Sequence, residues 1–308
     1  MQFKELQIGA DLQERITYNN DLIPLAVCID NFDDYFRREW ECHWHDEFEF
    51  GVIQKGTAEF TIYDAQETIT KTLHQGDGVF IGSGCLHSVK AIEPNTVIAG
   101  FVLPINFFDV SIFENIFRQN IQPMIESGIT NIFLRAGSSD DRLLLSGIQE
   151  LCTINKNETG YELHLIEAAC KIWRFLIERA SLERKAEISF ANKIQEQRVK
   201  AVLSFIHAHF GEHICIDDMA KAAAISRTEC FRCFQTILGK SPVEYLTEYR
   251  LSMATSMLAN SARTLSDISY LCGFNSPSYF GKLFRERCGL SPKKYREQTR
   301  ILPEEQTQ

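Results

Sequence analysis

Residues 216–235, IDDMAKAAAISRTECFRCFQ, and residues 265–285, LSDISYLCGFNSPSYFGKLFR, decide the fold of the C-terminal part of the chain. Each reads as a short helix, a tight turn and a second helix. Downstream, Phe234, Gly239, Ser241, Pro242 and Tyr245 recur as Phe284, Gly289, Ser291, Pro292 and Tyr295, all displaced by 50 positions. A period near 50 marks a duplicated structural unit, and two copies imply a pair of matched subdomains rather than a solenoid. Upstream the displacement falls to 49, since Met219 matches Ile268 and Ala220 matches Ser269. The second copy therefore has one extra residue in its turn, where a loop tolerates what a helix does not. Ser226 is placed to cap a helix over 227–238. In the second copy Gly273 ends one helix, and Ser276 with Pro277 starts the next.

At 100° per residue, Cys230, Cys233, Phe234 and Ile237 fall on one stripe of the first copy's second helix. Arg227, Thr228, Phe231, Arg232 and Gln235 then face outward. In the second copy Phe280, Leu283 and Phe284 form the stripe, opposed by Ser278, Gly281, Lys282 and Arg285. Hydroxyl, amide and cationic groups on such a face suit base edges and phosphates of double-stranded DNA; the plain alternative is a solvated helix surface, which two matched copies disfavour. Phe231 can only pack there, for instance on a thymine methyl.

Residues 195–298 resemble the DNA-binding domain of the AraC family of bacterial transcription regulators. The resemblance is carried by Ser226, Arg232, Phe234, Gly239, Ser241, Pro242, Tyr245 and Arg250, and by Gly273, Phe274, Tyr279, Phe280, Phe284, Gly289, Ser291, Pro292, Tyr295 and Arg296. It implies a long helix from Pro242 to about Leu258 joining two helix-turn-helix units that enter successive major-groove segments. Ser269 stands where the family usually has alanine, and Gly281 where it often has serine, which removes one polar contact.

The chain of 308 residues has a net charge of −9, the wrong sign for a DNA binder. Residues 193–308 carry 16 Lys+Arg against 12 Asp+Glu, however, and residues 1–192 carry 16 against 29. Phosphate should attract the C-terminal part and repel the rest. The ten cysteines are scattered, several at helix-core positions, which reads as a reduced, cytoplasmic protein using Cys as a small hydrophobe. Cys230 and Cys233 have metal or redox spacing, but both lie on the buried stripe. The first residues lack the apolar core of a signal peptide, and no apolar run reaches the length of a membrane span.

From about 20 to 103 the texture is β: DLIPLAVCID, EFEFGVIQ, AEFTIYD, ETITKTL, GVFIG, HSVKAIE and TVIAGFVL, separated by turn residues. A sandwich or barrel would close their edges. His43, His45, Glu49 and Gly56 in HWHDEFEFGVIQKG, and Gly76, Gly84 and His87 in GDGVFIGSGCLH, resemble the paired motifs of the cupin jelly roll. Gly82 replaces the expected proline and Ala91 the expected asparagine. The resemblance implies an effector-binding barrel, with a carbohydrate as the regulator family's frequent effector. His43, His45, Glu49 and His87 either ligate a divalent metal (Zn, Mn, Fe or Ni) or line a metal-free pocket with Trp44. Trp40, Trp44 and Phe48 could stack on a flat ligand or belong to the core.

Residues 107–185 read as helical, with an apolar stripe at 165, 168/169, 172, 176 and 180 that packs on the barrel and on a second subunit, or on its own barrel alone. The fold expected is multi-domain α+β: an all-β cupin barrel with trailing helices (1–185), a linker (186–197), an all-α DNA-binding domain of two helix-turn-helix units (198–300) and a tail (301–308). The function expected is a non-enzymatic, dimeric regulator that binds DNA and a small-molecule effector and engages RNA polymerase. The alternative is a metal-dependent cupin enzyme or a metal or redox sensor.

Overall fold

The computed structural model describes residues 3–9, 12–20, 22–64, 68–104, 107, 113–126, 129–182 and 190–300. Two compact units emerge, the larger mainly residues 13–193 and the smaller mainly residues 194–308. The expected linker includes the first residues of a helix that starts at Phe190; residues 183–189 and the 301–308 tail lie outside the described residues.

The larger unit contains β1 (Ala26–Asn31), β2 (Glu39–His43), β3 (Glu47–Lys55), β4 (Thr57–Tyr63), β5 (Thr68–His74), β6 (Gly78–Ile81), β7 (Leu86–Ala91), β8 (Val97–Pro104) and β9 (Asn131–Leu134). They form two antiparallel sheets, ordered β1-β8-β3-β6-β9 and β2-β7-β4-β5. The short helices α1 (Glu114–Ile116) and α2 (Gln122–Glu126) precede β9, and α3 (Arg142–Thr153) and α4 (Tyr161–Ala180) follow it.

Why β3 reads as EFEFGVIQ is now clear, because its sheet is buried on both faces. Phe48, Phe50 and Val52 join a core with Trp173, Ala169 and Ile172 of α4 and Ile148 of α3. Ile53 instead joins the inter-sheet core with Phe60, Ile62, Val79 and Val89. Odd positions of β3 therefore face the space between the sheets, and Glu49 is one of them.

One sequence expectation is corrected, and two alternatives left open by the sequence are decided. The stretch 107–185 is not helical throughout: β9 pairs with β6 and covers what would otherwise be an open sheet edge. Trp40 and Phe48 are not aromatics of a binding mouth. Trp40 is 6% exposed and sits 4.7 Å from the Phe32 ring; Phe48 is 2% exposed and meets Trp173 edge-on. The α4 stripe (Leu165, Ala168, Ala169, Ile172, Leu176, Ala180) is consumed by its own barrel core.

The smaller unit is helical: α5 (Phe190–His209), α6 (Ile216–Ala222), α7 (Arg227–Leu238), α8 (Pro242–Asn260), α9 (Leu265–Leu271), α10 (Pro277–Cys288) and α11 (Pro292–Arg300). The turn between α6 and α7 is residues 223–226 and that between α9 and α10 is residues 272–276, one residue longer. Ser226 Oγ accepts from the Glu229 N–H and Ser276 Oγ from the Tyr279 N–H, capping α7 and α10 alike. Gly239 and Gly289 close those helices at φ of 65° and 74°, a left-handed cap that explains the glycine in both copies.

Met219 and Ile268 are both wholly buried, as the alignment of the two copies requires. Ser269 is also buried, and its Oγ has no hydrogen-bond partner. A buried hydroxyl without a partner is destabilising, so Ser269→Ala should raise stability by about 1 kcal/mol in denaturant unfolding. A loss of stability would show that the hydroxyl is satisfied.

Candidate functional site

On α7, Cys230, Cys233, Phe234 and Ile237 are buried, while Arg227, Thr228, Phe231, Arg232 and Gln235 are exposed. On α10, Phe280 and Phe284 are buried, and Ser278, Lys282 and Arg285 are exposed, with Gly281 half-buried. Both faces thus fall where the 3.6-residue period puts them. Phe231 keeps 41% of its surface exposed on a face otherwise polar. Tyr279, 57% exposed one turn before Lys282, adds an aromatic ring beside this face.

Local ion pairs preset these side chains. Arg232 donates from Nε and Nη2 to Glu229 at 2.8 and 2.7 Å, and Glu229 also accepts from Arg198 at 2.7 Å. Arg227 pairs with Asp217. Exposed pairs of this kind contribute little stability, so a phosphate or base edge can replace the carboxylate. Lys282 lies 3.9 Å from Glu286, a looser contact. Arg250 does a different job: it donates to the carbonyls of Phe210 and Glu212 at 2.7 Å each and ties α8 to the segment after α5.

The two buried thiols of α7 are poorly placed for redox chemistry. Burial pushes Cys230 up to about 11 and raises Cys233, which disfavours the reactive thiolate of either.

In the larger unit the structure brings His43, His45, Glu49 and His87 together. His43 pairs with His87 across β2 and β7, after an irregularity between Trp40 and His43 that brings His43 into register with His87, and His87 shares the inward face of β7 with Val89 and Ala91. The His43 and His87 rings are 4.2 Å apart, and the three imidazoles offer nitrogens within 4.8 Å of one another. All three histidines are buried. Each Nδ1 is taken by a main-chain carbonyl: His43 by Glu41 at 2.7 Å, His45 by Glu47 at 3.0 Å and His87 by Cys85 at 2.9 Å. A carbonyl can only accept, so each Nδ1 carries the proton and, in a neutral ring, Nε2 carries the lone pair.

The Nε2 atoms point at carboxylates. Glu49 Oε2 lies 3.2 Å from His45 Nε2 and 3.1 Å from His87 Nε2, yet His87 Nε2 makes no hydrogen bond. Burial, and then the neighbouring imidazoles of His87 and His45, hold His43 well below the usual histidine range. Burial opposes charge on His45 too, but the hydrogen bond and charge of Glu49 outweigh it and its pKa rises. Burial would raise Glu49, but His45 and His87 outweigh it and hold the carboxyl well below its usual range. Trp44, half-buried, lies between His43 and His45 in sequence, its carbonyl accepting from Glu14.

One member was missed. Glu14 lies 3.4 Å from His43 Nε2, and burial pushes its carboxyl up to about 7. No motif or periodicity in the surrounding DLQER marks it.

Comparison with known proteins bears on both units. A family model described as a helix-turn-helix domain matches residues 219–298, and one described as an AraC-like ligand binding domain matches residues 27–109. The uncharacterized HTH-type transcriptional regulator YdeC of Bacillus subtilis (strain 168) is 28% identical over 298 residues, spanning 96% of this chain and 99% of its own. The HTH-type transcriptional regulator AlkR of Acinetobacter baylyi is 26% identical, spanning 85% of this chain and 92% of its own. The lactose operon transcription activator of Staphylococcus xylosus is 33% identical over 103 residues, covering 33% of this chain and 37% of that protein.

Proposed function

This chain belongs to the AraC family of transcription regulators, and from that premise we propose how its two units divide the work. It is a DNA-binding regulator with a ligand-binding domain and not an enzyme. The outward faces of α7 and α10 contact DNA through Arg227, Thr228, Phe231, Arg232 and Gln235, and through Ser278, Gly281, Lys282 and Arg285. Their matched exposure in the two copies is the observation that supports this assignment. Arg232→Ala should weaken specific binding by about 1–3 kcal/mol, read by fluorescence anisotropy on a selected duplex; undiminished affinity would remove Arg232 from the interface.

The effector site is the space between the sheets around His43, His45, Glu49 and His87. A divalent metal fits the three histidines: imidazoles anchored through Nδ1 to main-chain carbonyls bring ring nitrogens to one place, the outer-partner pattern of histidine ligands, with the Glu49 carboxylate beside His45 and His87. Bound there, the ion would supply a Lewis acid able to hold an oxygen of an effector. Metal analysis of the purified chain tests this, with His87→Ala as the control that should lose uptake.

Occupancy of the barrel changes DNA affinity only by binding one arrangement of the protein better than another, a coupling of about 1–3 kcal/mol. The protein acts in the cytoplasm as a homodimer that engages RNA polymerase. No helix among the described residues is long and apolar enough to cross a membrane.

A further inference from the structure

Arg232, on the outward face of α7, is held from two sides. Along one edge of its guanidinium, Nε and Nη2 donate to Glu229 Oε2 and Oε1 at 2.8 and 2.7 Å. At the end of the group the Gln195 amide, turned with its oxygen toward the arginine, accepts from Nη1 at 3.1 Å and from Nη2 at 3.0 Å. Glu229 is itself fastened: Arg198 Nη1 donates to Oε1 at 2.7 Å, and the Cys233 thiol lies 3.5 Å from the same oxygen. Gln195 and Arg198 both belong to α5, so a helix outside the two helix-turn-helix units reaches the outward face of α7.

An arginine free on a surface must give up rotamer freedom when it settles on a base edge, which weakens binding. A guanidinium already fixed in one plane gives up less, and its planar fork matches guanine O6 and N7 only in the right plane. The end of the fork now faces an amide oxygen, an acceptor that a base oxygen can replace, while Glu229 keeps hold of the side. A lone carboxylate there would be repelled by phosphate; here Arg232 and Arg198 offset its charge. The hydrogen bond from Arg232, outweighing burial, holds the Glu229 carboxyl down to about 2, so it stays ionised. The second copy is built differently, with Tyr279 at the place of Glu229 and Lys282 at that of Arg232, each displaced by 50. The Lys282 side chain is 75% exposed and 3.9 Å from Glu286, whereas that of Arg232 is 54% exposed and braced at 2.7 Å.

We infer that Glu229 is a positioning residue for Arg232, braced from α5 by Arg198, and that this brace sets how sharply the first unit discriminates at the base pair Arg232 reads. The inference rests on the DNA-contact reading of α7 and adds to it residues that act through another side chain.

The test uses the full chain and a duplex selected by it from random DNA, with each base pair of the site replaced in turn and affinities read by anisotropy at one salt concentration. Arg232→Ala identifies the pair it reads, as the position where discrimination collapses. Glu229→Ala should cut discrimination at that same pair by about tenfold, within what a bidentate arginine supplies, and leave the other positions as in the parent. Arg198→Ala should act at the same pair and less strongly, and Glu229→Gln, which keeps an acceptor oxygen, should recover part of the loss. With Arg232→Ala already in place, Glu229→Ala should remove no further discrimination, the non-additivity of a residue that works through its neighbour. Exposed ion pairs contribute little stability, so melting temperatures should stay close to the parent's. Unchanged discrimination in Glu229→Ala, a loss spread evenly over the site, or full additivity with Arg232→Ala would overturn the positioning role and leave DNA contact by α7 standing. Discrimination intact at every position in Arg232→Ala would overturn both readings together.

Discussion

Phe284→Ala should destabilise the DNA-binding unit by about 3–5 kcal/mol, the range for removing a buried aromatic ring. Phe284 has no exposed surface, and its ring meets Phe280 and Tyr295 edge-on, each at 5.5 Å. It shares a core with Leu251, Ala254 and Leu258 of α8, Ile268 of α9 and Phe274. One truncation therefore opens a cavity where α8, α9, α10 and α11 meet. Because α10 presents Ser278, Lys282 and Arg285, DNA affinity should fall although no proposed contact has been altered. Denaturant unfolding and duplex binding on the same preparation read both effects. A stability change below about 1 kcal/mol would mean that neighbouring side chains collapse into the space, and the tight core described for α10 would be wrong. Phe284→Leu, which keeps most of the volume, should cost much less.

Acid should unfold this same unit early, through His207. Burial pushes its pKa from 6.5 down to about 3, its Nε2 meets the Tyr245 hydroxyl at 2.8 Å, and its ring stacks on Tyr249 at 3.8 Å. The unfolded chain takes up a proton near pH 6.5, whereas the folded unit resists it until far lower pH. The unfolded state thus binds more protons across that interval, and folding stability falls as pH falls. The slope approaches about 1.4 kcal/mol per pH unit, enough for two or three units of acidification to remove much of a typical domain's stability. His207→Gln should flatten the acid limb of a stability-against-pH curve. If parent and variant lose stability in parallel between about pH 6 and pH 4, His207 does not carry the effect.

The helical unit was legible because its information is local and doubled. Ser226 and Ser276 cap, Gly239 and Gly289 terminate, and the 3.6-residue period separates Phe234 and Phe284 from Arg232 and Lys282. These are rules acting over three or four residues, and the second copy checks the first. The seven strands read from alternation and turn residues were also found, because burial of one or both faces leaves its mark at period two. Strands β2 and β9 were not legible. The first breaks its own alternation between Trp40 and His43, and the second stands as four residues among helices, chosen by the open edge of β6.

Sequence alone determined which residue types could meet: His43, His45, Glu49 and His87 stood out by spacing, and the two helical faces by period. Tertiary structure decided what surrounds them. It sent Trp40 and Phe48 into the core, spent the α4 stripe on its own barrel, set the Nδ1 protons of three histidines against main-chain carbonyls, and delivered Glu14 to His43 from 29 positions away. The physical reason is range. Caps, turns and amphipathic stripes are settled by neighbours along the chain, whereas a ligand cluster is settled by which strands pair and in which register, and nothing in a stretch such as DLQER records the partner it will find.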